Sequence, residues 1–188
     1  IGTLDAFCEV AFVEVSTDGV HYARFPTRYS GTVGPFSSYA AMPPWWYAGF
    51  CGAMPVTQSG GDIQNPWDVA AGGGDAFDLA DLQDDPLVLS GDVNLFSIQY
   101  VRLIDIATGQ AQDSMGATIF DSGDAEMGSA DIDGLVAVNN ADNAAGSRPA
   151  VEMELVGGML SIHIADNDGL NDVKLGITAS VNGYPVSF

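Results

Sequence analysis

The sequence predicts an all-β protein, an antiparallel β-sandwich of the jelly-roll type with long loops, and three observations support this fold class. Apolar and polar residues alternate in several short stretches, dipeptides that favour tight turns separate these stretches, and helical patterns are weak. Alternation with a period of two is typical of strands that bury one face. The chain has 188 residues, of which 47% are hydrophobic, so it is large enough to bury the core of a domain.

The first predicted strands are a hairpin and a central strand. Residues 7–16 and 20–25 flank "TDG", whose glycine can take the positive φ that a tight turn needs. Residues 95–107 alternate at first and then become apolar on both faces, as a strand in the middle of a sandwich does. Residues 75–82, "DAFDLADL", predict one turn of helix, and the stretch at 41–55 with its adjacent prolines predicts an ordered loop.

Turn signals also divide the C-terminal part of the chain. A short apolar strand is predicted at 135–138, and Gly157-Gly158 joins "VEMELV" to "MLSIHIA" as a hairpin. Asn182-Gly183 joins "VKLGITASV" to "YPVSF" as a second hairpin. We therefore predict a β-sandwich core at 1–140 and, at 141–188, two hairpins that pack on the same sandwich or extend it.

The charge balance restricts the partners of the chain. Asp and Glu number 25 against 5 Lys and Arg, which gives a formal net charge of −20. Such a surface repels phosphate backbones and anionic bilayers, so we expect neither nucleic-acid binding nor membrane insertion. It attracts cations, and bound metal would relieve the self-repulsion of the folded state. A solvated acidic surface in a saline or extracellular setting explains the same excess of carboxylates.

Four acidic segments predict calcium ligation, because Ca²⁺ prefers several carboxylate and carbonyl oxygens on a loop that can bend sharply. The stretch "DNDGLND" at 166–172 has the spacing D-x-D-G-x-x-D, which occurs in extracellular calcium loops but is not that of an EF-hand. The candidate ligands are Asp166, Asp168, Asp172, Asp131, Asp133, Asp75, Asp78 and Asp105. The cofactor that this pattern predicts is Ca²⁺.

Three of the four acidic segments also have a plain structural interpretation. The stretch at 166–172 is equally suited to a polar hairpin loop, and the acids at 75–85 suit the favourable end of a short helix. Asp105 lies in an otherwise apolar strand, so we expect it to be buried and to need a partner. Arg102 would serve that need as well as a cation.

Chemistry-bearing motifs are scarce, so we expect no enzymatic activity. His21 and His163 lie in predicted strands without metal-ligand spacing, and neither a G-x-S-x-G elbow nor a phosphate-binding loop with its lysine is present. Pairs of acids could in principle hydrolyse glycosides, but a chain with so many carboxylates forms such pairs by composition alone.

An aromatic cluster follows the two adjacent prolines. Trp45, Trp46 and Tyr47 are consecutive, and Phe50 comes shortly after them. Consecutive aromatic side chains cannot all point inward, so at least one is expected at the surface. Three interpretations stay open: a carbohydrate platform, a subunit contact, and a lid over one end of the sandwich.

The two cysteines, Cys8 and Cys51, have two interpretations. An even number in an acidic, lysine-poor chain predicts one disulfide that closes a long loop. Two buried thiols that act as small apolar side chains are nearly as consistent with the sequence.

The order of several motifs resembles a family of secreted bacterial cell-surface proteins, many of which carry C-terminal sorting or anchoring signals. The motifs are "EVAFVEVSTDGVHYARFP", "YAGFCGAMPV", "GGDAFDLADL", "VRLIDI" and "ADIDGLVAVNN", and together they cover about residues 7–140. The resemblance implies an extracellular β-sandwich module without an established catalytic role. It also favours Asp131 and Asp133 as a functional pair, because the family repeats this D-x-D.

Departures from the family pattern leave the extent of the domain open. The lysine of an "AGK"-like segment is replaced by Ala53, Ser129-Ala130 replace "GF", and residues 150–188 lie outside the resemblance. Family domains have more sandwich ahead of the first hairpin. The chain is therefore interpreted as a half-domain, a cleavage product, or a subunit whose sandwich a neighbouring chain completes.

These features predict a non-catalytic structural or adhesive module at the cell surface, stabilised by calcium. An incomplete sandwich exposes strand edges, and such edges accept a strand from a neighbour, so we expect a homo-oligomer or a filament or surface-layer polymer. The alternative is a carbohydrate-binding module that uses Trp45, Trp46 and Tyr47 to bind a glycan.

Overall fold

The computed structural model describes residues 5–36, 40–55, 72–122, 130 and 134–137, together with the backbone of three later strands. The strands are β1 (Ala11–Ser16), β2 (Ala23–Arg24), β3 (Arg28–Tyr29), β4 (Tyr47–Ala48), β5 (Asp75–Asp78), β6 (Tyr100–Asp105), β7 (Gly134–Ala137), β8 (Ala150–Val156), β9 (Met159–Ala165) and β10 (Lys174–Thr178). Within the described part of the chain, the helical segments are two 3₁₀ turns, η1 (Pro44–Trp46) and η2 (Leu79–Leu82), and one short helix, α1 (Pro86–Ser90). No helix among the described residues is long and apolar enough to cross a bilayer.

Within the described residues, the strands form three antiparallel sheets. The largest has the order β2-β1-β6-β9-β8, a second has the order β5-β10-β7, and β3 pairs with β4. The all-β, antiparallel prediction is confirmed, whereas the sandwich arrangement stays a prediction. Strands β9 and β10 lie inside sheets whose other members come from earlier in the chain, so both parts of the sequence share the same sheets.

The predicted hairpins at 7–25 and 150–165 are present. Strand β1 pairs with β2 through Val15 and Ala23, and β8 pairs with β9 with Val156 opposite Met159. The first turn is closed by Asp18, whose Oδ1 accepts the N–H of Val20 at 2.8 Å. The hairpin predicted at Asn182-Gly183 lies outside the described residues.

Two predicted elements differ in extent from the structure. The strand expected at 95–107 begins only at Tyr100, because Asn94 organises a turn in which its Oδ1 accepts the N–H of Phe96 at 3.0 Å. The helical turn expected at 75–82 is a strand followed by η2. Asp78 caps that turn by accepting the N–H of Ala80 at 3.1 Å.

Strand β1 is buried on both faces and separates two apolar clusters. On one face Val13 and Val15 join the inner cluster, which also contains Phe25, Phe77, Leu82, Ile98 and Leu103. On the other face Val10 and Phe12 join the outer cluster, with Tyr29, Tyr47, Phe50, Ile106 and Ile119. Every residue of β1 is buried, so the strand belongs to both cores.

We predict that Val13→Thr lowers the free energy of unfolding by about 2 kcal/mol, because it places an unpaired hydroxyl in the inner cluster with little change in volume. The side chain of Val13 is fully buried. Urea unfolding followed by circular dichroism measures the effect. Val20→Thr is the matched control, because Val20 is 74% exposed in the hairpin turn and the same change there should stay within about 0.5 kcal/mol. Equal losses in the two variants would contradict the assignment of β1 to the core.

Candidate functional site

The aromatic loop, defined here as residues 43–53, presents one tryptophan to solvent. It begins with the 3₁₀ turn η1, which Pro44 opens, and it returns to the sheet through β4. Trp45 is 58% exposed, Trp46 is half-buried and Tyr47 is buried. The expectation that the consecutive aromatic residues cannot all point inward agrees with this arrangement.

A continuous series of aromatic contacts supports the loop from below. The ring of Trp46 lies 6.4 Å from Tyr29 in an edge-on arrangement, and Tyr29 lies 5.4 Å from Tyr47. Tyr47 in turn contacts Phe50 at 6.2 Å, and Phe50 contacts Phe12 of β1 at 5.7 Å. Pairs at these separations contribute beyond the burial of their area. The series therefore connects Trp46, the neighbour of the exposed Trp45, to strand β1.

Buried tyrosine hydroxyls fix the loop to neighbouring backbone. Tyr47 Oη donates to the carbonyl of Phe120 at 2.7 Å, and Tyr29 Oη donates to the carbonyl of Thr32 at 2.8 Å. Burial raises the pKa of Tyr29 to about 12 and raises that of Tyr47 further. Both hydroxyls consequently stay protonated, and remain donors, across the physiological pH range.

Asp113 anchors the same region from a separate loop. Its Oδ2 accepts the N–H of Tyr29 at 2.7 Å, and its Oδ1 accepts the N–H groups of Met115 and Ala117 at 2.9 and 2.8 Å. Burial acts to raise the pKa of this carboxyl, but these backbone donors outweigh it and hold the pKa below its usual value. The ionised carboxylate therefore ties strand β3 to the 113–117 turn.

Two glycines allow the loop to lie directly against the backbone of other segments. Gly49 has a φ of +78° and a Cβ there would collide with the carbonyl oxygen of Pro26. Gly52 has a φ of +81° and a Cβ there would collide with the carbonyl oxygen of Glu9. Both positions require glycine for conformation and for space.

Asp75 holds the far end of the aromatic loop. Its Oδ2 accepts the N–H groups of Ala53 and Met54 at 3.0 and 3.2 Å, from a side chain that is almost fully buried in β5. Burial raises the pKa of this carboxyl to about 7, although the backbone donors act in the opposite direction. Asp75 is one of the predicted calcium ligands; its Oδ2 accepts backbone N–H groups, and calcium at this carboxyl stays a prediction.

The side chains of the other two described calcium candidates also accept hydrogen bonds from backbone N–H groups. Asp78 caps η2, and Asp105 Oδ1 accepts the N–H of Ala130 at 3.1 Å. The expectation that Asp105 is buried is wrong, because Asp105 is exposed at the end of β6. Of its two expected partners, Arg102 pairs with Glu14 instead, and a cation stays a prediction. Among the described residues, no three His, Cys, Asp or Glu side chains are close enough to form a metal site.

The remaining predicted ligands lie outside the described residues, so calcium at those positions stays a prediction. They are Asp131 and Asp133 in one acidic segment, and Asp166, Asp168 and Asp172 in the other.

The predicted disulfide between Cys8 and Cys51 is wrong, since both are buried free thiols. They lie in different clusters: Cys51 belongs to the inner cluster and Cys8 to the outer one. Cys51 lies opposite Ala11 in a β-bridge, whereas the thiol of Cys8 contacts the carbonyl of Ala53. Burial, reinforced by the nearby Asp75 carboxyl, raises the pKa of Cys8 to about 12.

A buried ion-pair group was not anticipated from the sequence. Glu14 of β1 accepts from Arg24 Nε and Arg102 Nε, each at 2.7 Å, on the two strands that flank it. The guanidinium of Arg102 also lies over the ring of Tyr22, 3.7 Å from its centre. A glutamate inside an apolar strand was the available signal, because a buried carboxylate must be paired.

The hairpin turn brings together a serine, an aspartate and a histidine, but not as a catalytic triad. His21 Nδ1 lies 2.7 Å from Asp18 Oδ2, and the hydroxyl of Ser16 donates to Asp18 Oδ1 at 3.1 Å. In a triad the imidazole lies between the hydroxyl and the carboxylate, so that it can take the proton of the nucleophile. Here the carboxylate lies in the middle, and the group closes the turn.

Comparison with protein-family models, with curated proteins and with solved structures gives no match for this chain. The resemblance to secreted bacterial cell-surface proteins therefore stays a prediction.

The wild-type chain should lose stability as the pH rises from about 4 to about 7, and we predict that Asp75→Asn reduces this loss. Burial raises the pKa of Asp75 from its ordinary value of 3.8 to about 7 in the folded chain, so the folded state favours the protonated form. The stability that this preference contributes is fully present below the pKa of Asp75 in the unfolded chain. It is lost as the pH rises through the pKa of Asp75 in the folded chain. The full shift corresponds to a change on the order of 4 kcal/mol.

Urea unfolding at several pH values measures this difference. Asparagine keeps an oxygen that can accept the N–H groups of Ala53 and Met54, so the variant should fold. Asp84→Asn, at an exposed position, is the control and should follow the wild-type curve. Parallel pH profiles for wild type and Asp75→Asn would show that this carboxyl does not titrate in the folded range.

Proposed function

We propose that this chain is a non-catalytic extracellular module with a structural or adhesive role at a cell surface, and that its aromatic loop contacts the partner. The observation that carries the proposal is Trp45, which is 58% exposed on a loop whose neighbouring aromatic residues are packed and whose backbone is held by buried carboxylates. An exposed tryptophan on a fixed loop supplies a large contact area with little loss of conformational entropy on binding.

The buried ionisable groups support a structural role. Asp75 and Asp113 bind backbone N–H groups, and Glu14 pairs with two arginines. Groups that act in acid–base catalysis must reach a substrate, whereas these three serve neighbouring parts of the same chain. Their arrangement supports a scaffold that holds loops in place.

The edge of the large sheet supports assembly between copies. Among the described residues, strand β8 pairs with β9 on one side only, which leaves its other side at the sheet edge. An edge strand presents unpaired N–H and C=O groups that can accept a strand from a neighbour. A filament or surface layer built by strand exchange would use this edge.

Calcium completes this proposal because copies that each carry a charge of −20 repel one another. Cations bound at the acidic segments 131–133 and 166–172 would reduce that repulsion and stabilise each copy.

Carbohydrate binding is the second candidate function, and the geometry of the aromatic loop favours it specifically. The rings of Trp46 and Phe36 lie 6.3 Å apart beside the exposed Trp45. Sugar rings present C–H groups that pack on exposed aromatic faces, and their hydroxyls reach polar groups at the rim. Tyr47, which was predicted to contact the glycan, is buried and serves as a support for the loop.

We predict that Trp45→Ala weakens partner binding by at least about tenfold without lowering the melting temperature, because the removed side chain is mostly exposed. Light scattering with millimolar calcium measures self-association, and a glycan array measures carbohydrate binding. Val20→Ala is the control, since Val20 is an exposed apolar residue outside the loop. Loss of self-association supports the adhesive role, and loss of glycan binding supports the second candidate. Binding that survives Trp45→Ala would contradict both.

We predict that millimolar calcium raises the melting temperature of the chain and that a chelator reverses the effect, because a ligand that binds only the folded state stabilises it. Asp168→Asn should reduce the increase, whereas Asp5→Asn removes the same charge at an exposed position outside the predicted ligand segments. Melting that is unchanged by calcium, or equally reduced in both variants, would contradict a calcium site at 166–172.

A further inference from the structure

A groove with a volume of about 620 Å³ opens beside η2, on surface that the aromatic loop does not line. Its apolar lining comes from Leu79 and Ala80 of the η2 turn and from Val88, Val93, Leu95 and Phe96 further along the chain. This volume is within the usual range for ligand pockets, about 300–1,000 Å³.

The groove reaches the inner cluster. Leu79 and Val93 form part of the buried core, and Val88 and Leu95 pack against it while remaining half-buried. Phe96 is 70% exposed, so most of a large apolar side chain faces solvent at this groove. An exposed apolar area that continues into a core is typical of an interaction surface.

The ionisable side chains of the segment that supplies the lining are all acidic. Between residues 79 and 96 the only ionisable side chains are aspartates, and Asp81, Asp84 and Asp92 are exposed. Asp92 lies between Gly91 and Val93, which both line the groove. The charge at this surface therefore complements a cationic partner and opposes an anionic one.

We propose that this groove binds a peptide segment of a partner protein that presents apolar side chains next to lysine or arginine. A second copy of the chain is a poor occupant, because it has only 5 Lys and Arg and a net charge of −20. The inference goes beyond the proposed adhesive role of Trp45, since it concerns a different surface and a different partner chemistry.

Fluorescence anisotropy with labelled synthetic peptides tests the proposal on the full chain. The probe contains leucine, phenylalanine and lysine; one comparison peptide replaces lysine with glutamate, and another replaces the apolar residues with serine. We expect binding of the probe alone. Phe96→Ser and Asp84→Lys should each weaken that binding by at least about tenfold.

Matched variants separate groove binding from general attraction to an acidic protein. Val33→Ser changes an apolar residue that is 84% exposed elsewhere, and Asp5→Lys makes the same charge change at an exposed position outside the groove. Both should bind the probe as wild type does. The absence of binding, equal binding of the serine peptide, or equal losses in Asp5→Lys and Asp84→Lys would overturn the proposal. Self-association of the chain that Phe96→Ser abolishes would also overturn it, because the groove would then bind a second copy.

Discussion

The burial of β1 on both faces is the constraint on which the rest of the structure depends. The strand must bring apolar side chains to two separate clusters, so its alternation assigns Val13 to one core and Phe12 to the other. Its polar residues must then find partners inside the protein. Glu14 is neutralised by Arg24 and Arg102, which lie on the strands β2 and β6 that flank β1.

The outer cluster connects β1 to the aromatic loop, which is the candidate functional site. Phe12 contacts Phe50, and the aromatic series continues through Tyr47 to Trp46 beneath the exposed Trp45. The loop has little regular secondary structure, so its backbone N–H groups need other acceptors. Buried carboxylates supply them on two sides, from Asp75 in β5 and from Asp113 in a separate turn. The central claim of this account is that the aromatic loop is held in place before any partner binds.

Local patterns in the sequence were sufficient for part of the fold. The hairpins around "TDG" and Gly157-Gly158 could be predicted because each depends on adjacent residues and on turn chemistry. The exposure of one tryptophan followed from the impossibility of burying consecutive aromatic residues on one loop. Long-range pairing could not be predicted in the same way. Whether Asp105 or Glu14 is the buried carboxylate depends on which strand lies beside it, and the separation of Cys8 from Cys51 depends on which face of β1 each one occupies.

Hydrogen exchange at individual amides tests the central claim most directly. The account predicts that the N–H groups of Ala53, Met54 and Tyr29, which bind buried carboxylates, are protected to nearly the same degree as those of β1. Slow exchange of all of them in the absence of a partner would show that the loop is preorganised. Exchange of the three loop-anchoring amides at rates typical of unstructured peptide, while β1 stays protected, would contradict the account.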